Sequence, residues 1–347
     1  MREEMTMAEL FGETLSRREI QKRAGNIGQI AGIREFQYSS GKASGVRAIE
    51  IHGAGGLHYT VLPDRCLDIA YAEYNGIPVS FFSKSGITAP AYYQPFDKIW
   101  GGQFFGGMLT TCGLMSTGND SEYEDRHMPA HGEVSNMPAR ITAPFERWEG
   151  DDFIMGVNAV ISHSRMYREN YELRRTIYSK LGESAIYIDD EVENLAFRKM
   201  PLTILYHFNF GWPMLSKDTE LILDSTRITA DCPMPPEDEK HPFRYLNPYP
   251  SSHHGWYHDV RADAQGLVHA VLRNRKIGIQ ACIEYPKEQL WNLTQWKFMD
   301  ENDYVTALEP CNNYLMGTKT EEENGTLEFI EPGETRKFNL KLSFESL

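Results

Sequence analysis

The sequence of 347 residues has little of what marks several protein classes. Its five cysteines are odd in number, widely scattered and without a C-x-x-C pair, which argues against a disulfide framework and against a zinc ribbon. No stretch of about 18 apolar residues occurs, and the first residues lead into polar sequence without an apolar signal segment. These absences predict neither export nor membrane insertion, and the cytoplasm is the expected location.

Basic clusters and phosphate-binding loops are also missing. The formal net charge is -14 and no run rich in lysine and arginine stands out, so neither nucleic acid nor a membrane is expected as a partner. A glycine-rich loop bearing a lysine, which would bind nucleotide phosphates, is absent as well. With 41% hydrophobic and 24% charged residues, the composition is that of a folded globular protein. A homo-oligomer is compatible with these features.

Helical patterns are scarce. One segment, residues 9–23, has helix-like character, and within it Ser16 and Glu19 have the spacing of a capping box. Residues 1–28 are therefore interpreted as an N-terminal helical extension and residues 29–347 as a single domain. No linker or shift in composition marks a further boundary.

Most of the remaining chain has the pattern of β-strands. Apolar residues recur at every second position in many short runs, as in residues 337–344, so that one face of the strand packs and the other is wet. Turn signals such as Tyr74-Asn75-Gly76 separate the runs, which indicates hairpins. We therefore expect two large antiparallel sheets packed face to face. The candidate strands are residues 46–52, 58–62, 67–71, 78–82, 153–162, 171–179, 185–192, 202–208, 267–273, 277–285, 304–308 and 337–344.

Three short polar segments, far apart in the chain, are each attached to strand-like sequence. They contain His131, His207 and Glu309. Histidine can donate a proton near neutral pH, and a desolvated glutamate can act as a general base. If the fold brings them together, the three side chains form a proton-transfer set of the kind that opens and closes a sugar ring. The alternatives are a hydrogen-bonded core histidine at 207 and a turn-capping or salt-bridged glutamate at 309. Pro310 is expected to end the strand that carries Glu309.

Together these motifs resemble the aldose 1-epimerase (galactose mutarotase-like) superfamily and, within it, the DUF4432 family. The resemblance covers nearly the whole chain from Gln29 onward. It implies a mainly β fold, a galactose mutarotase-like β-supersandwich of large antiparallel sheets with a short N-terminal helix, and a carbohydrate cleft across one sheet. The residues that carry it are 62–69, 106–114, 131–132, 206–211 and 309–312.

The resemblance also implies roles for three residues. His207 matches the general acid toward the ring oxygen, Glu309 the general base toward the anomeric hydroxyl, and His131 a second histidine that contacts the sugar. Arg65 is a candidate hydroxyl-binding residue because its fork of donors suits neighbouring oxygens. The alternative for Arg65 is a structural ion pair with a neighbouring aspartate of the same motif.

Two further candidates lie in the histidine-rich segment 253–259. In mutarotases an aspartate from this region binds a sugar hydroxyl, and Asp259 is the candidate here. Trp256, together with Trp212 and Trp100, could stack on a pyranose ring. The alternatives are an exposed loop and tryptophans that belong to the core.

The predicted function is that of an isomerase that interconverts sugar anomers by acid/base ring opening, with a small sugar as its partner and without a cofactor. One alternative is a carbohydrate-binding or sensing protein without turnover. Another is a metal-assisted sugar isomerase or lyase, with a divalent ion held by His131, Glu133 and His207. A phosphorylated sugar stays open because Arg65 and Arg244 could reach the cleft.

Overall fold

The computed structural model describes residues 7–94 and 100–347, apart from the side chain of Trp100. Within these residues the chain consists mainly of β-strands. The helices are α1 (Arg17–Arg23), α2 (Pro236–Lys240) and α3 (Thr318–Asn324), and the 3₁₀ turns span Ile27–Gln29, Gly41–Ala43, Pro90–Tyr92, Trp100–Gly102 and Val134–Asn136. The strands are, in chain order, β1 (Ala8–Leu10), β2 (Glu13–Leu15), β3 (Gly32–Gln37), β4 (Arg47–His52), β5 (Leu57–Leu62), β6 (Asp68–Tyr74), β7 (Ile77–Pro78), β8 (Phe81–Phe82), β9 (Gly106–Gly107), β10 (Leu109–Leu114), β11 (Ser121–Tyr123), β12 (Arg126–Met128), β13 (Ile141–Glu149), β14 (Asp152–Ser164), β15 (Asn170–Lys180), β16 (Ala185–Asn194), β17 (Met200–Pro201), β18 (Thr203–Phe210), β19 (Thr219–Ile222), β20 (Ser225–Ala230), β21 (His254–Val260), β22 (Leu267–Asn274), β23 (Ile279–Pro286), β24 (Asn292–Asp300), β25 (Asp303–Cys311), β26 (Phe329–Ile330) and β27 (Thr335–Ser346).

Two large antiparallel sheets form the fold. The eleven-stranded sheet has the order β20-β21-β24-β25-β18-β10-β6-β5-β4-β3, with β7 paired to β6. The eight-stranded sheet has the order β13-β14-β15-β16-β27-β23-β22-β19. The two sheets meet in a buried interface, where the hydroxyls of Tyr59 and Ser179 are 3.0 Å apart. The predicted mainly β fold with large antiparallel sheets is confirmed.

The eight-stranded sheet shows the alternation that the sequence predicts. Along β15 and β16 nearly every second residue is buried, and the same holds through the middle of β27. The inward residues Leu173, Ile188 and Leu340 belong to the large hydrophobic cluster between the sheets. Each such side chain contributes about 1.5–3 kcal/mol on burial, so the facing surfaces hold the sheets together.

The central strands of the other sheet are buried on both faces. Every residue of β10 and β18 is buried, because the eight-stranded sheet covers one face and connecting segments surround the other. Such strands appear in sequence as continuous runs without alternation. On β18, successive side chains therefore point alternately to the core and to the opposite face.

Pro310 does not end its strand, as the sequence had led us to expect. β25 continues to Cys311, and Pro310 pairs with Leu293 of β24. On the other side, β25 pairs with β18 at Leu205↔Cys311 and at Phe208↔Leu308. The proline, which lacks an N–H, lies in the interval between these two pairings and is accommodated there.

The N-terminal segment is less helical than expected. Residues 8–15 form the hairpin β1-β2, because Phe11 and Gly12 adopt positive φ values of 55° and 82°, and the helix α1 begins only at Arg17. The capping box of Ser16 and Glu19 is confirmed, with both reciprocal hydrogen bonds formed. Leu10 of this segment is buried in the main hydrophobic cluster. The division of the chain at residue 28 stays a prediction.

The proline-rich segment between β20 and β21 packs on the face of β24 that is turned away from Trp296 and Phe298. Its Tyr245 is 2% exposed, and the ammonium group of Lys297 lies 4.8 Å from the centre of that ring. Nζ of Lys297 also donates to the carbonyl of Arg244 at 2.6 Å. These contacts hold β24 in place on the face opposite the aromatic residues Trp296 and Phe298. None of the helices in the described ranges has the length and apolar character needed to cross a membrane.

Candidate active site

His207 lies at the middle of β18, between β10 and β25. Its neighbour Tyr206 points into the interface between the sheets, so His207 points to the opposite face. The imidazole is almost completely buried, with 2% of the residue exposed. Rings flank it on two sides, Phe104 at 5.3 Å and Trp296 at 5.5 Å between ring centres. Packing on this scale holds the imidazole in one orientation.

Glu309 lies directly opposite His207 on β25. The register of the two strands, with Phe208 opposite Leu308, places residue 207 across from residue 309. Oε1 of Glu309 is 3.3 Å from Nε2 of His207, and the glutamate is 1% exposed. Two adjacent strands therefore hold an imidazole and a carboxyl group at a distance that allows proton transfer.

Burial controls the protonation of this pair. It lowers the pKa of His207 well below the ordinary imidazole value, and the neighbouring His131 lowers it further. Burial raises the pKa of Glu309 well above the ordinary carboxyl value, and the carboxylate of Asp231 adds to the effect. Both shifts favour uncharged groups, since a charge is costly in a low dielectric. In the absence of a bound sugar, the pair therefore favours a neutral imidazole beside a protonated carboxyl group.

His131 completes the set predicted from the sequence. It lies in the loop after β12, where it has a positive φ of 59°, and its ring centre is 5.7 Å from that of His207. The loop is held against β10, because the Gly113 N–H donates to the His131 carbonyl at 3.1 Å. Burial lowers the pKa of His131 to about 4. The three segments are thus brought together, although about 180 residues separate the first from the last.

A cleft of about 940 Å³ opens over this set. Hydrogen-bonding groups and aromatic rings both line it, and this combination suits a ligand that has polar edges and apolar faces. Among the described lining residues, the sole lysine or arginine is Lys84, whose Nζ is 2.6 Å from Oδ2 of Asp303. The lining also includes Ser83, Ser85, Asp120, Asp231, His253, Tyr257, Thr294, Trp296, Phe298 and Val305.

Arg65 lies outside this cleft lining and has protein partners. Its Nε donates to the Ser135 carbonyl at 2.8 Å, and its Nη1 and Nη2 donate to the carbonyls of Thr88 and Gln103 at 2.9 and 3.1 Å. Only 1% of the residue is exposed. The guanidinium therefore ties three loop segments together. The ion pair with Asp64 or Asp68 that was the alternative for Arg65 is not formed, because backbone carbonyls and the Thr88 hydroxyl accept its hydrogen bonds.

Asp259 and Trp256 are likewise outside the described cleft lining. Oδ2 of Asp259 is 3.1 Å from Nε of Arg227 in a largely exposed ion pair. Trp256 points to the opposite face of β21, where the Nζ of Lys297 lies 4.7 Å from its ring centre. Because side chains alternate along β21, Tyr257, the residue after Trp256, points toward the cleft. Trp212 is 73% exposed and does not line the cleft, and the side chain of Trp100 lies outside the described residues.

Sequence reasoning missed β21 and β24, which contribute Tyr257, Trp296 and Phe298 to the cleft. The reason is visible in β24, where Gln295 and Lys297 are buried among apolar neighbours, so that polarity does not mark the exposed face. The aromatic residues at alternate positions 296 and 298 were the available signal for a strand. Asp231, which follows β20, carried no such signal.

Glu133 does not join the two histidines in a metal site. It lies in a separate buried cluster with His163 and Glu169, whose potential ligand atoms are within 4.8 Å of one another. Arg126 forms ion pairs with both carboxylates of this cluster, and Arg165 approaches them from outside. The two guanidinium groups thus balance the charges of the two carboxylates, and the cluster is a structural ion-pair network. The ligand set His131, Glu133 and His207 is not assembled.

Comparisons with known proteins bear on the family and the fold of the chain. The sequence profile of the family described as "Domain of unknown function (DUF4432)" matches residues 43–344. A search of curated proteins found no match. Among solved structures, a Klebsiella pneumoniae protein provisionally named an aldose 1-epimerase is 22% identical, with a TM-score of 0.85 over 90% of this chain and 83% of that one.

Two more distant structures show the same fold. A galactose mutarotase-like protein from Clostridium acetobutylicum is 15% identical, with a TM-score of 0.64 over 92% of this chain and 100% of that chain. Galactose 1-epimerase from Lactobacillus acidophilus is 12% identical, with a TM-score of 0.60 over 91% of this chain and 99% of that chain. At such identities the comparison establishes the galactose mutarotase-like fold and leaves activity to be argued from the site.

Proposed function

Because the chain belongs to the DUF4432 family and has the galactose mutarotase-like fold, we propose that it is an isomerase that interconverts the α and β anomers of an uncharged aldose. The observation that carries the proposal is the 3.3 Å contact between Nε2 of His207 and Oε1 of Glu309 at the base of a large cleft. An acid and a base held side by side can act on two oxygens of one sugar carbon, the ring oxygen and the anomeric hydroxyl.

In the proposed mechanism, ring opening moves two protons and breaks one bond. The carboxylate of Glu309 takes the proton of the C1 hydroxyl, and the imidazolium of His207 gives its proton to the ring oxygen. The C1–O5 bond breaks as the C1 carbonyl forms, which leaves the open-chain aldehyde, a protonated Glu309 and a neutral His207. Rotation about C1–C2 presents the other face of the carbonyl, and the reverse proton transfers close the ring as the second anomer.

The pKa shifts indicate in which direction the proton transfers are easier. Opening starts from the charged imidazolium and carboxylate, which burial disfavours in the unliganded pair, and ends with neutral His207 and protonated Glu309, which burial favours. Ring closure starts from the same state, so one shared proton serves both directions of the reaction. Acid/base assistance of this kind contributes about 10² to 10⁴ in rate, which is adequate because free sugars already mutarotate slowly in water.

The charges of the cleft favour an uncharged sugar. Asp120 and Asp231 line it, whereas Lys84 is paired with Asp303. Arg65 donates to backbone carbonyls, and Arg244 is not among the described lining residues. A phosphate group would meet carboxylates without a free guanidinium to bind it. The phosphorylated substrate that the sequence left open is therefore disfavoured.

The test is anomer exchange measured by NMR with neutral aldoses and their 6-phosphates. We expect the purified protein to accelerate exchange between the α and β resonances of at least one neutral aldose, and to accelerate that of its 6-phosphate at least tenfold less. Binding without accelerated exchange would instead identify a carbohydrate-binding protein. Faster exchange of the phosphorylated sugars would contradict the substrate class and leave the reaction type intact.

A further inference from the structure

The cleft extends far beyond the acid/base pair along the hairpin of β24 and β25. Glu309 lies opposite Thr294 at its inner end, and Val305 lies opposite Phe298 toward its outer end. Four residues separate these two levels, which corresponds to about 13 Å at the usual rise of a strand. Residues at both levels line the same cleft of about 940 Å³. One pyranose placed against His207 and Glu309 would leave the outer part of this length unfilled.

A continuous row of rings follows this length. The ring centre of His207 is 5.5 Å from that of Trp296, which is 6.1 Å from that of Phe298, which is in turn 6.2 Å from that of His253. Trp296 and Phe298 occupy alternate positions on β24, so both side chains point to the cleft. Both are partly exposed, and such aromatic surface can pack against the apolar face of a ligand.

Polar groups line the same cleft as these rings. Ser83 and Ser85 are among the lining residues, Asp303, which pairs with Lys84, lies two residues beyond Val305 at the outer end of β25, and His253 lies next to Phe298. A flat apolar surface edged by hydroxyl, ammonium and carboxylate groups matches the chemistry of a sugar ring, whose C–H face is apolar and whose edge carries hydroxyls.

We infer that Trp296 and Phe298 form a second subsite, which binds the second ring of a reducing disaccharide while the first ring lies at His207 and Glu309. The placement of the first ring rests on the proposed function. The second ring takes no part in the proton transfers. Its binding energy raises the affinity for the disaccharide and holds the reducing end at the acid/base pair.

The subsite is tested by calorimetric titration of the wild-type protein with matched sugars. The ligands are maltose, cellobiose, galactobiose and mannobiose, each compared with the monosaccharide of its own reducing end. We expect at least one disaccharide to bind about tenfold more tightly than that monosaccharide, a difference equivalent to about 1.4 kcal/mol. Equal or weaker binding of all four disaccharides would overturn the inference.

Two phenylalanine variants locate the effect. Phe298→Ala should bring the affinity ratio of disaccharide to monosaccharide close to one, whereas Phe197→Ala should retain the wild-type ratio, because Phe197 is fully exposed and is not among the described lining residues. An unchanged ratio in Phe298→Ala would overturn the assignment of the subsite. His253→Ala, a smaller change at the rim, should reduce the ratio partially.

Binding and turnover separate the two proposals. If the disaccharide advantage is present but no sugar shows accelerated anomer exchange, the proposed isomerase function fails and the second subsite stands. If exchange is accelerated but no disaccharide binds more tightly than its monosaccharide, the isomerase function stands and the second subsite fails.

Discussion

Strand β18 contributes to a different buried polar group on each of its two faces, and the surroundings of the two groups differ. His207 and Glu309 face the cleft, whereas their strand neighbour Tyr206 belongs to an inter-sheet cluster that also contains Arg175 and Asp190. All of these residues are at most 2% exposed. Exposure alone therefore does not distinguish the reactive pair from the structural cluster.

Their partners do distinguish them. Arg175 donates through Nε and Nη2 to both oxygens of Asp190, at 2.9 and 2.6 Å, and through Nη1 to Thr111 at 2.8 Å. The hydroxyl of Tyr206 donates to the same carboxylate at 2.6 Å. The charges of the cluster are thus compensated within the protein, and the two sheets enclose it. The His207–Glu309 pair instead borders open volume in which a substrate can lie.

The largest expected effect comes from breaking the reactive pair. His207→Gln and Glu309→Gln should each lower the rate of anomer exchange by about 10² to 10⁴, because each removes one of the two proton transfers. The measurement is exchange spectroscopy on the aldose that the wild type processes fastest. The matched control is Asp190→Asn, which changes a buried carboxylate of the cluster and should retain exchange in the folded protein. Wild-type exchange in either pair variant would contradict its role.

Breaking the inter-sheet cluster should affect stability and not chemistry. Arg175→Met should lower the free energy of unfolding by about 3–5 kcal/mol, because it leaves the carboxylate of Asp190 buried without its cation. Urea denaturation followed by tryptophan fluorescence measures this loss. The Arg175→Met Asp190→Leu double variant removes Arg175 together with the carboxylate that it binds through two hydrogen bonds, leaves Asp68 in place, and should recover part of the loss. A loss below about 1 kcal/mol in the single variant would show that the cluster does not carry the stability assigned to it.

A smaller effect is expected at the two aspartates near β21. Asp231 lines the cleft while its Oδ1 accepts the Gly255 N–H at 2.8 Å, and Asp259 forms an exposed ion pair with Arg227. Asp231→Asn should raise the KM of exchange by about tenfold, since hydrogen bonds to charged groups are worth about 1.5–3 kcal/mol. Asp259→Asn should leave KM within about twofold, as expected for a surface pair. The reverse ranking would restore Asp259 as the sugar ligand.

The smallest change concerns the pH profile. Before a sugar binds, His207 and Glu309 share one proton in the active state. Binding of a second proton inactivates the pair in acid, and loss of the shared proton inactivates it in base. Because the pKa of His207 is lowered and that of Glu309 is raised, the acid limb of kcat/KM should lie below pH 6.5 and the alkaline limb well above pH 4.5. Exchange rates from pH 4 to pH 9 test this. An acid limb above pH 6.5 would contradict the lowered pKa of His207.

Much of the fold could be predicted because most strands have one wet face. Strands such as β15 and β27 alternate visibly, and each of the twelve candidate segments overlaps at least one observed strand. Residues 9–15 were misinterpreted because a hairpin turn at Phe11 and Gly12 interrupts a composition that favours a helix. Strand β24 was missed because Lys297 is buried against Tyr245 and Trp256, a contact that only the tertiary structure reveals.

For the site, the sequence singled out two residues that adjacent strands bring together, and it did not anticipate the protein partners of Arg65, Trp256 and Asp259. His207 and Glu309 came together because adjacent strands set their register. Arg65 lies in a motif that marks the family, yet the charged residues of this motif make structural contacts: Asp64 pairs with Arg47, and Asp68 accepts the Thr111 N–H. A segment can therefore identify a family through residues that have structural roles and do not bind the ligand.

The central claim is that His207 and Glu309 act as one proton-transfer unit, and a double-variant cycle tests it most directly. Exchange spectroscopy would compare the wild type, His207→Gln, Glu309→Gln and the double variant on the same aldose. The account predicts that the double variant loses about as much activity as the more severe single variant, because either change disables the unit. Losses that multiply would contradict a single unit, and full activity in the double variant would place the chemistry elsewhere.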